Sequence, residues 1–289
     1  MANRLALIGI GLIGSSLARA VKRNRAAREL IAFDSDADAA ARAVELGIVD
    51  TVSSTVEGAV RDADLVVIAV RSGAVPAVLP RLAAALHPDA VVTDVSSVKG
   101  PIVAAARDAL GPAFPAFVPG HPIAGTEHSG VEAGFAELFD NHRVVLTPLD
   151  DTRASALARV RDLWEAVGAE VVLMDTLEHD RVLAATSHLP HMVAYALVDC
   201  LAQPGDGDAM LEFAAGGFAD FTRIASSSPA MWADIAAANS AALLDAMDRM
   251  QASLTAIRAA IADGDEKTLL EMFGRASATR ARLIDRRAV

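Results

Sequence analysis

Down the first 175 residues, short apolar runs with no polar alternation take turns with stretches whose apolar positions return at helical spacing. Residues 5–10 form the first run, and a helical pattern follows over 12–22. The same grammar repeats as strand 30–33 and helix 36–46, strand 65–70 and helix 75–86, then strand 91–95 and helix 101–110. Strands that lack alternation are buried on both faces, so the pattern predicts a parallel sheet covered by helices on each side. Phe117 and Val118 form a further strand-like stretch before a glycine-rich loop, and strands at 143–148 and 170–174 flank a helix opened by Asp150, Asp151 and Thr152.

From Thr176 onward the strand signals stop. Long helical patterns occupy 177–201, 231–262 and 266–286, with a glycine-bearing segment at Gly216 and Gly217 between them. The chain therefore changes class near residue 175, from alternating α/β at 1–175 to all-α at 176–289. No fixed-period repeat runs through it, which excludes a solenoid.

At 289 residues the chain has room for one large domain or two medium ones, each with a sizeable core. Apolar residues make up 53%, yet no apolar run approaches the roughly 20 residues needed to cross a bilayer. The N-terminus runs straight into a strand pattern, so the expectation is a soluble, cytoplasmic protein without a signal peptide and with no membrane partner. The single cysteine, Cys200, excludes an internal disulfide framework and fits a reducing compartment. Acidic residues outnumber basic ones by 37 to 26, and the net charge of −11 would repel a phosphate backbone, so nucleic acid is not an expected partner. The alanine-rich stretches keep helical periodicity, and helix propensity accounts for them.

Gly9-Ile10-Gly11-Leu12-Ile13-Gly14 directly follows the first strand and opens a helix, the context in which this glycine spacing binds a dinucleotide. Gly9 permits the tight turn, Gly11 lets a pyrophosphate approach the backbone, and Gly14 lets helix and strand pack closely. The N–H groups around Leu12 and Ile13 supply donors at the positive end of the helix dipole. Asp34 ends the second strand 20 residues after Gly14, where a carboxylate can accept from ribose hydroxyls and would repel a ribose phosphate. No arginine or lysine follows in Asp34-Ser35-Asp36, so NAD is expected over NADP, on a Rossmann-type domain.

Asp94-Val95-Ser96-Ser97-Val98-Lys99-Gly100 follows the strand 91–95, so its hydroxyls and ammonium emerge at the carboxyl edge of the sheet, where ligands of open α/β folds bind. For Ser97 a helix cap is the competing reading. The loop from Gly120 to Gly130 packs His121, Thr126 and Glu127 into a glycine and proline frame. An imidazole with an ordinary pKa of about 6.5 suits proton abstraction near neutrality, which makes His121 the candidate base. His188 and His191 flank Pro190 at helical spacing, and a proline inside an apolar helix implies a kink that opens polar groups toward a cavity. No cysteine and no third ligand stands near them at usual spacing, so a metal is not expected. Asp220 and Arg223 follow the glycine pair, and an arginine fork suits a carboxylate ligand.

Five ordered motifs closely resemble those of the prephenate/arogenate (cyclohexadienyl) dehydrogenase family of tyrosine biosynthesis. They are the glycine turn, the segment from Asp94 to Gly100, the segment from Gly120 to Gly130, Ser187-His188-Leu189-Pro190-His191, and Asp220-Phe221-Thr222-Arg223-Ile224. The resemblance implies an NAD-dependent oxidative decarboxylation of prephenate, arogenate or both, on a Rossmann-type domain followed by an all-α dimerisation domain. It implies that His121 accepts the proton of the substrate hydroxyl while Ser97 orients that hydroxyl or the histidine. Arg223 would hold the ring carboxylate, His188, His191 and Thr126 would line the substrate side, and Glu127 and Asp220 would pair with Arg223. A homodimer through the C-terminal helices is expected, because apolar patterns such as 231–250 exceed what one small helical domain can cover. A β-hydroxyacid dehydrogenase also joins a Rossmann domain to a helical one, but it would rely on a lysine in the helix 177–201, which contains none.

Overall fold

A computed structural model describes residues 1–202 and 213–285. Strands β1 (Ala2–Ile8), β2 (Ala27–Phe33), β3 (Thr51–Val52), β4 (Leu65–Ile68), β5 (Val91–Asp94) and β6 (Phe117–Val118) form one sheet in the order β3-β2-β1-β4-β5-β6. All neighbouring strands are parallel. The order reverses between β1 and β4, and a crevice opens beyond the carboxyl ends of strands at such a reversal. Helices α1 (Leu12–Asn24), α2 (Ala37–Glu45), α3 (Val56–Val60), α4 (Val75–Ala83) and α5 (Gly100–Leu110) supply the crossovers. Asp36 caps α2 by accepting from the N–H groups of Asp38 and Ala39, which fixes where the chain turns after Asp34.

Alternate residues of β1 enter different cores: Leu5 and Leu7 join Leu17, Val21 and Trp164, whereas Ala6 and Ile8 join Val66, Leu79, Ile102 and Phe117. Burial on both faces is the reason the strand reads as an unalternated run.

A second sheet holds β7 (Gly120–Pro122), β8 (Arg143–Leu146) and β9 (Glu170–Leu173), with helix α6 (Ala154–Ala166) between the last two. Strand β7 runs antiparallel to β8 and places His121 opposite Val145. The segment from Gly120 to Gly130, expected as a loop throughout, therefore begins as a strand; three residues reading Gly-His-Pro are too few and too polar to show a period.

Beyond β9, Asp175 caps α7 (Thr176–Leu183) by accepting from Leu177 and Glu178. The expected single helix 177–201 instead widens into a π turn at Ala184–His188 before α8 (Leu189–Leu201). Pro190 sits in the first turn of α8, where its missing N–H and ring cannot continue an ordinary i→i−4 ladder, and a π turn absorbs the mismatch. Helices Gly216–Thr222, Pro229–Ala238, Ser240–Ala262 and Glu266–Asp285 follow. The pattern 231–262 is thus two helices parted at Asn239, and Arg286, expected to end the last helix, lies outside the described residues. By packing, Met1–Ser240 is one compact unit and Ala241–Val289 another.

Candidate active site

The glycine turn is shaped by close approach. Gly9 has φ +103°, and a Cβ there would stand 2.7 Å from the Ala69 carbonyl oxygen; one at Gly14 would run into the carbonyl oxygen of Gly9 itself. A Cβ at Gly11 would face open space, on the side from which a pyrophosphate can reach the backbone. Leu12 and Ile13 are half-buried in the first turn of α1, a region whose N–H groups have no partners within a helix. Asp34 accepts from the N–H of Ile10 at 2.7 Å and of Asp36 at 2.9 Å, so its carboxylate is locked against the turn. The cradle and acid fit a dinucleotide with a free ribose. The segment after β7 is strapped over this region by Arg42–Glu132 at 2.8 Å, Arg23–Asp140 at 2.6 Å and the N–H of Phe135 on Ser16 Oγ at 3.2 Å.

At the end of β5 a fully buried ion pair organises the next turn. Lys99 Nζ donates to Asp94 Oδ2 at 2.6 Å and to the carbonyl oxygen of Gly120. Asp94 also accepts from the N–H groups of Ser96 and Gly120. A Cβ on Gly120 would stand 2.9 Å from the Asp94 carbonyl oxygen, so glycine is needed here for approach between two strands. Burial pushes the Lys99 ammonium below its usual pKa, against the opposing pull of Asp94. Ser97, in the same turn, is half-buried with no hydrogen bond among the described residues, and α5 starts without a side-chain cap. Its hydroxyl is free, so the capping alternative does not hold.

His121 is 9% exposed, and its Nδ1 lies 2.9 Å from His179 Nε2. Burial first, then His179, Lys99 and His188, hold its pKa well below 6.5, so at neutral pH the ring is uncharged. That departs from the ordinary value expected of an imidazole in an exposed loop. His188 is also buried and is brought down to about 4 by burial, with Asp180 partly opposing. His191 is half-buried, stacks on Trp232 at 3.6 Å between ring centroids, and donates from Nδ1 to the Ser187 carbonyl. His188 meets the same indole edge-on at 6.1 Å. The π turn has therefore set the two histidines around one aromatic ring, and no cluster of metal-ligating side chains exists among the described residues.

Arg223 ends the helix Gly216–Thr222 and pairs with Glu127 at 3.2 Å, while remaining 62% exposed and open to a further anion. Asp220, expected to share that pairing, is exposed and makes no ion pair among the described residues; Glu127 alone meets the guanidinium. Thr126 is exposed, and its hydroxyl accepts from the N–H of His128.

Four residues of the cluster escaped the sequence reading: His179, Asp180, Trp232 and Asn239. His179 and Asp180 sit side by side in α7, both buried, with His179 Nδ1 2.8 Å from Asp180 Oδ1. Asp180 also accepts from the N–H groups of Lys99 and Gly100, each at 2.8 Å. A signal existed: His179 and Asp180 stand at helical spacing from the apolar Leu183 and Ala184, and two adjacent ionisable residues on an apolar helix face need partners. Asn239, which parts two helices, closes the group by donating to the Asp180 carbonyl at 2.8 Å.

A dinucleotide cradle at the switch point of a parallel sheet, with a neutral buried histidine, a free hydroxyl and an exposed arginine in the same unit, defines a nicotinamide-dependent dehydrogenase. Family models described as "Prephenate dehydrogenase, nucleotide-binding domain" and "Prephenate dehydrogenase, dimerization domain" match residues 17–173 and 175–275. The chain is 41% identical to a cyclohexadienyl dehydrogenase of Zymomonas mobilis over 273 residues, covering 94% of this chain and 92% of that one. It is 36% identical to a prephenate dehydrogenase of Bacillus subtilis, covering 94% and 74%. Among solved structures, prephenate dehydrogenase from A. aeolicus in complex with hydroxyphenyl propionate and NAD+ superposes with a TM-score of 0.91 at 34% identity, covering 97% and 98%. Synechocystis arogenate dehydrogenase gives 0.81 at 30%, covering 96% and 99%. The chain belongs to the prephenate/arogenate dehydrogenase family, with a nucleotide-binding domain followed by a dimerization domain.

Proposed function

We propose that this enzyme oxidises prephenate with NAD, releasing carbon dioxide and leaving 4-hydroxyphenylpyruvate. The observation that carries the reading is a buried histidine, neutral at pH 7, in the same unit as the dinucleotide cradle and an arginine that is only partly neutralised. When bound, NAD supplies the hydride acceptor. His121 takes the proton of the ring hydroxyl as that carbon loses hydride; Ser97, with its hydroxyl unengaged, orients the hydroxyl being oxidised. The pair of electrons left by the departing carboxylate completes the aromatic ring. Arg223 holds the ring carboxylate in a bidentate fork, with Glu127 limiting its freedom before substrate arrives. Thr126, His188 and His191 line the substrate side. Residues 1–175 serve the cofactor and 176–289 the substrate and the dimer.

The preference for the keto acid rests on His191 and Trp232. Neither offers a negative charge to an ammonium, and the nearby carboxylate of Glu127 is already engaged with Arg223. The 41% identity to a protein named cyclohexadienyl dehydrogenase favours a second reading, in which arogenate is also used and gives tyrosine. NADH formation followed with prephenate and arogenate separately, each with NAD and NADP, tests both: prephenate with NAD is expected to give the highest kcat/KM, and no turnover with either substrate overturns the reading.

The enzyme acts as a homodimer joined through its C-terminal helices, and in the cytoplasm. Support for the dimer comes from the model matched over residues 175–275 and from the apolar residues that the last two helices expose, among them Leu254, Ile261, Leu270 and Phe273. Light scattering at micromolar concentration is expected to give twice the mass of 30.0 kDa; a monomer contradicts the proposal.

A further inference from the structure

We propose that Asp180 sets the proton positions of two active-site histidines in opposite senses, so that His121 presents a bare Nε2 as acceptor while His188 presents an Nε2–H as donor. The inference rests on the reading of His121 as proton acceptor, and it assigns His179, Asp180 and Asn239 as positioning residues.

The backbone N–H groups of Lys99 and Gly100 donate to the two oxygens of Asp180. Burial raises the pKa of this carboxyl, but the hydrogen bonds from His179, Gly100 and Lys99 outweigh it and bring the pKa below the usual value. An ionised carboxylate only accepts, so the contact with His179 at 2.8 Å requires a proton on His179 Nδ1. In a neutral imidazole the other nitrogen is then an acceptor, and His179 Nε2 lies 2.9 Å from His121 Nδ1. With His179 carrying that single proton, His121 donates from Nδ1, which leaves its Nε2 as the lone pair. Without this chain the buried ring could adopt either tautomer, and only one of them can take a proton at Nε2.

The main chain of Asp180 controls the second ring. Its carbonyl oxygen accepts from Asn239, which forces the amide nitrogen of Asn239 to that side; the flipped amide would set two oxygens against each other. The same nitrogen lies 3.2 Å from His188 Nδ1 and donates to it. His188 then bears its proton on Nε2, an atom that is buried and has no partner in the protein among the described residues. A buried donor left open in this way is ready for an oxygen of the substrate. The residue that fixes the base also pins the turn carrying Ser97, through Lys99 and Gly100, so the hydroxyl and the imidazole are held in register by one side chain.

The test uses the full-length protein labelled with 15N at histidine and two-bond 15N–1H correlation spectra, with peaks assigned from H121N and H188N. His121 is expected to show a protonated Nδ1 and a bare Nε2, and His188 the reverse; a proton on Nε2 of His121 or a bare Nε2 on His188 overturns the proposal. This reading needs no substrate, so it stands apart from the identity of the reaction, which wild-type NADH formation decides. Kinetics supply the second arm. Removing a positioned base commonly costs about 10²-fold or more, so H179A is expected to lower kcat by about 100-fold with NAD affinity within threefold. In H179Q the amide oxygen can stand where Nε2 stood and accept from His121, so it should recover at least tenfold over H179A. Wild-type kcat in H179A, or equal rates in the two variants, removes the relay. If either variant loses NAD binding and so reports misfolding, the wild-type spectrum still decides.

Discussion

Replacing Lys99 by methionine probes the frame that holds His121, with little change of volume. Both members of the Lys99–Asp94 pair are inaccessible to solvent, and the ammonium donates to Asp94 and to the carbonyl of Gly120, the residue before the base. Taking one partner from a buried pair leaves an uncompensated charge and costs about 3–5 kcal/mol. Two backbone N–H groups, from Ser96 and Gly120, would still solvate Asp94, which puts the expected loss at the lower end, about 3 kcal/mol. At roughly 2 °C per kcal/mol for a chain of this size, the melting temperature should fall by about 6 °C. Guanidinium unfolding followed by tryptophan fluorescence is the assay, since Trp164 and Trp232 both lie in the unit Met1–Ser240. The double variant D94N/K99M removes the charge as well and should regain more than half of the loss. A loss below about 1 kcal/mol in K99M, or a double variant no better than K99M, would show that the pair does not hold this turn. Turnover is a further readout: with the Gly120 carbonyl released, kcat is expected to fall at least tenfold.

Three other outcomes follow from the same geometry. Gly14→Ala drives a Cβ onto the carbonyl of Gly9, so calorimetry should find NAD binding lost while the melting temperature moves by only a few degrees; retained affinity would contradict the fit of the cradle. Arg223→Gln should raise the KM for prephenate at least tenfold with a smaller change in kcat, and an unchanged KM would place the ring carboxylate elsewhere. His188 titrates at about 4 in the folded protein against about 6.5 when unfolded, so the unfolded chain binds more protons between those values. Stability is therefore full above pH 6.5 and falls as pH drops toward 4, by about 3 kcal/mol from this residue. Denaturant midpoints in that window should show a flatter slope for His188→Gln than for wild type, and parallel slopes would refute the assignment.

The glycine turn, its strand and Asp34 were legible because each meets a local demand: positive φ, close approach, or a charge at a strand end. The parallel sheet was legible because β1 is buried on both faces. What local pattern could not carry was any contact between distant segments. His121 reads as a loop residue until β8 pairs with β7, and only the tertiary fold supplies the burial that lowers its pKa, together with His179, Lys99 and His188. Asp180 lies 81 positions from the backbone N–H of Lys99 that it accepts from. Pro190 correctly announced a break in the helix 177–201, but the form of the break, a π turn that sets His188 and His191 around Trp232, depends on a residue 41 positions beyond His191. Asp220 shows the opposite error: the resemblance paired both Glu127 and Asp220 with Arg223, and among the described residues Glu127 alone meets the guanidinium.

The central claim is that His121 takes the proton from a substrate oxidised by NAD. It is tested most directly by NADH formation from prephenate with wild type and His121→Asn side by side, with NAD affinity measured on both. The account predicts turnover by wild type and a fall in kcat of about 10²–10⁴-fold in the variant, with NAD affinity within threefold. Wild-type protein inactive on both prephenate and arogenate, or a variant that keeps its kcat, would contradict it.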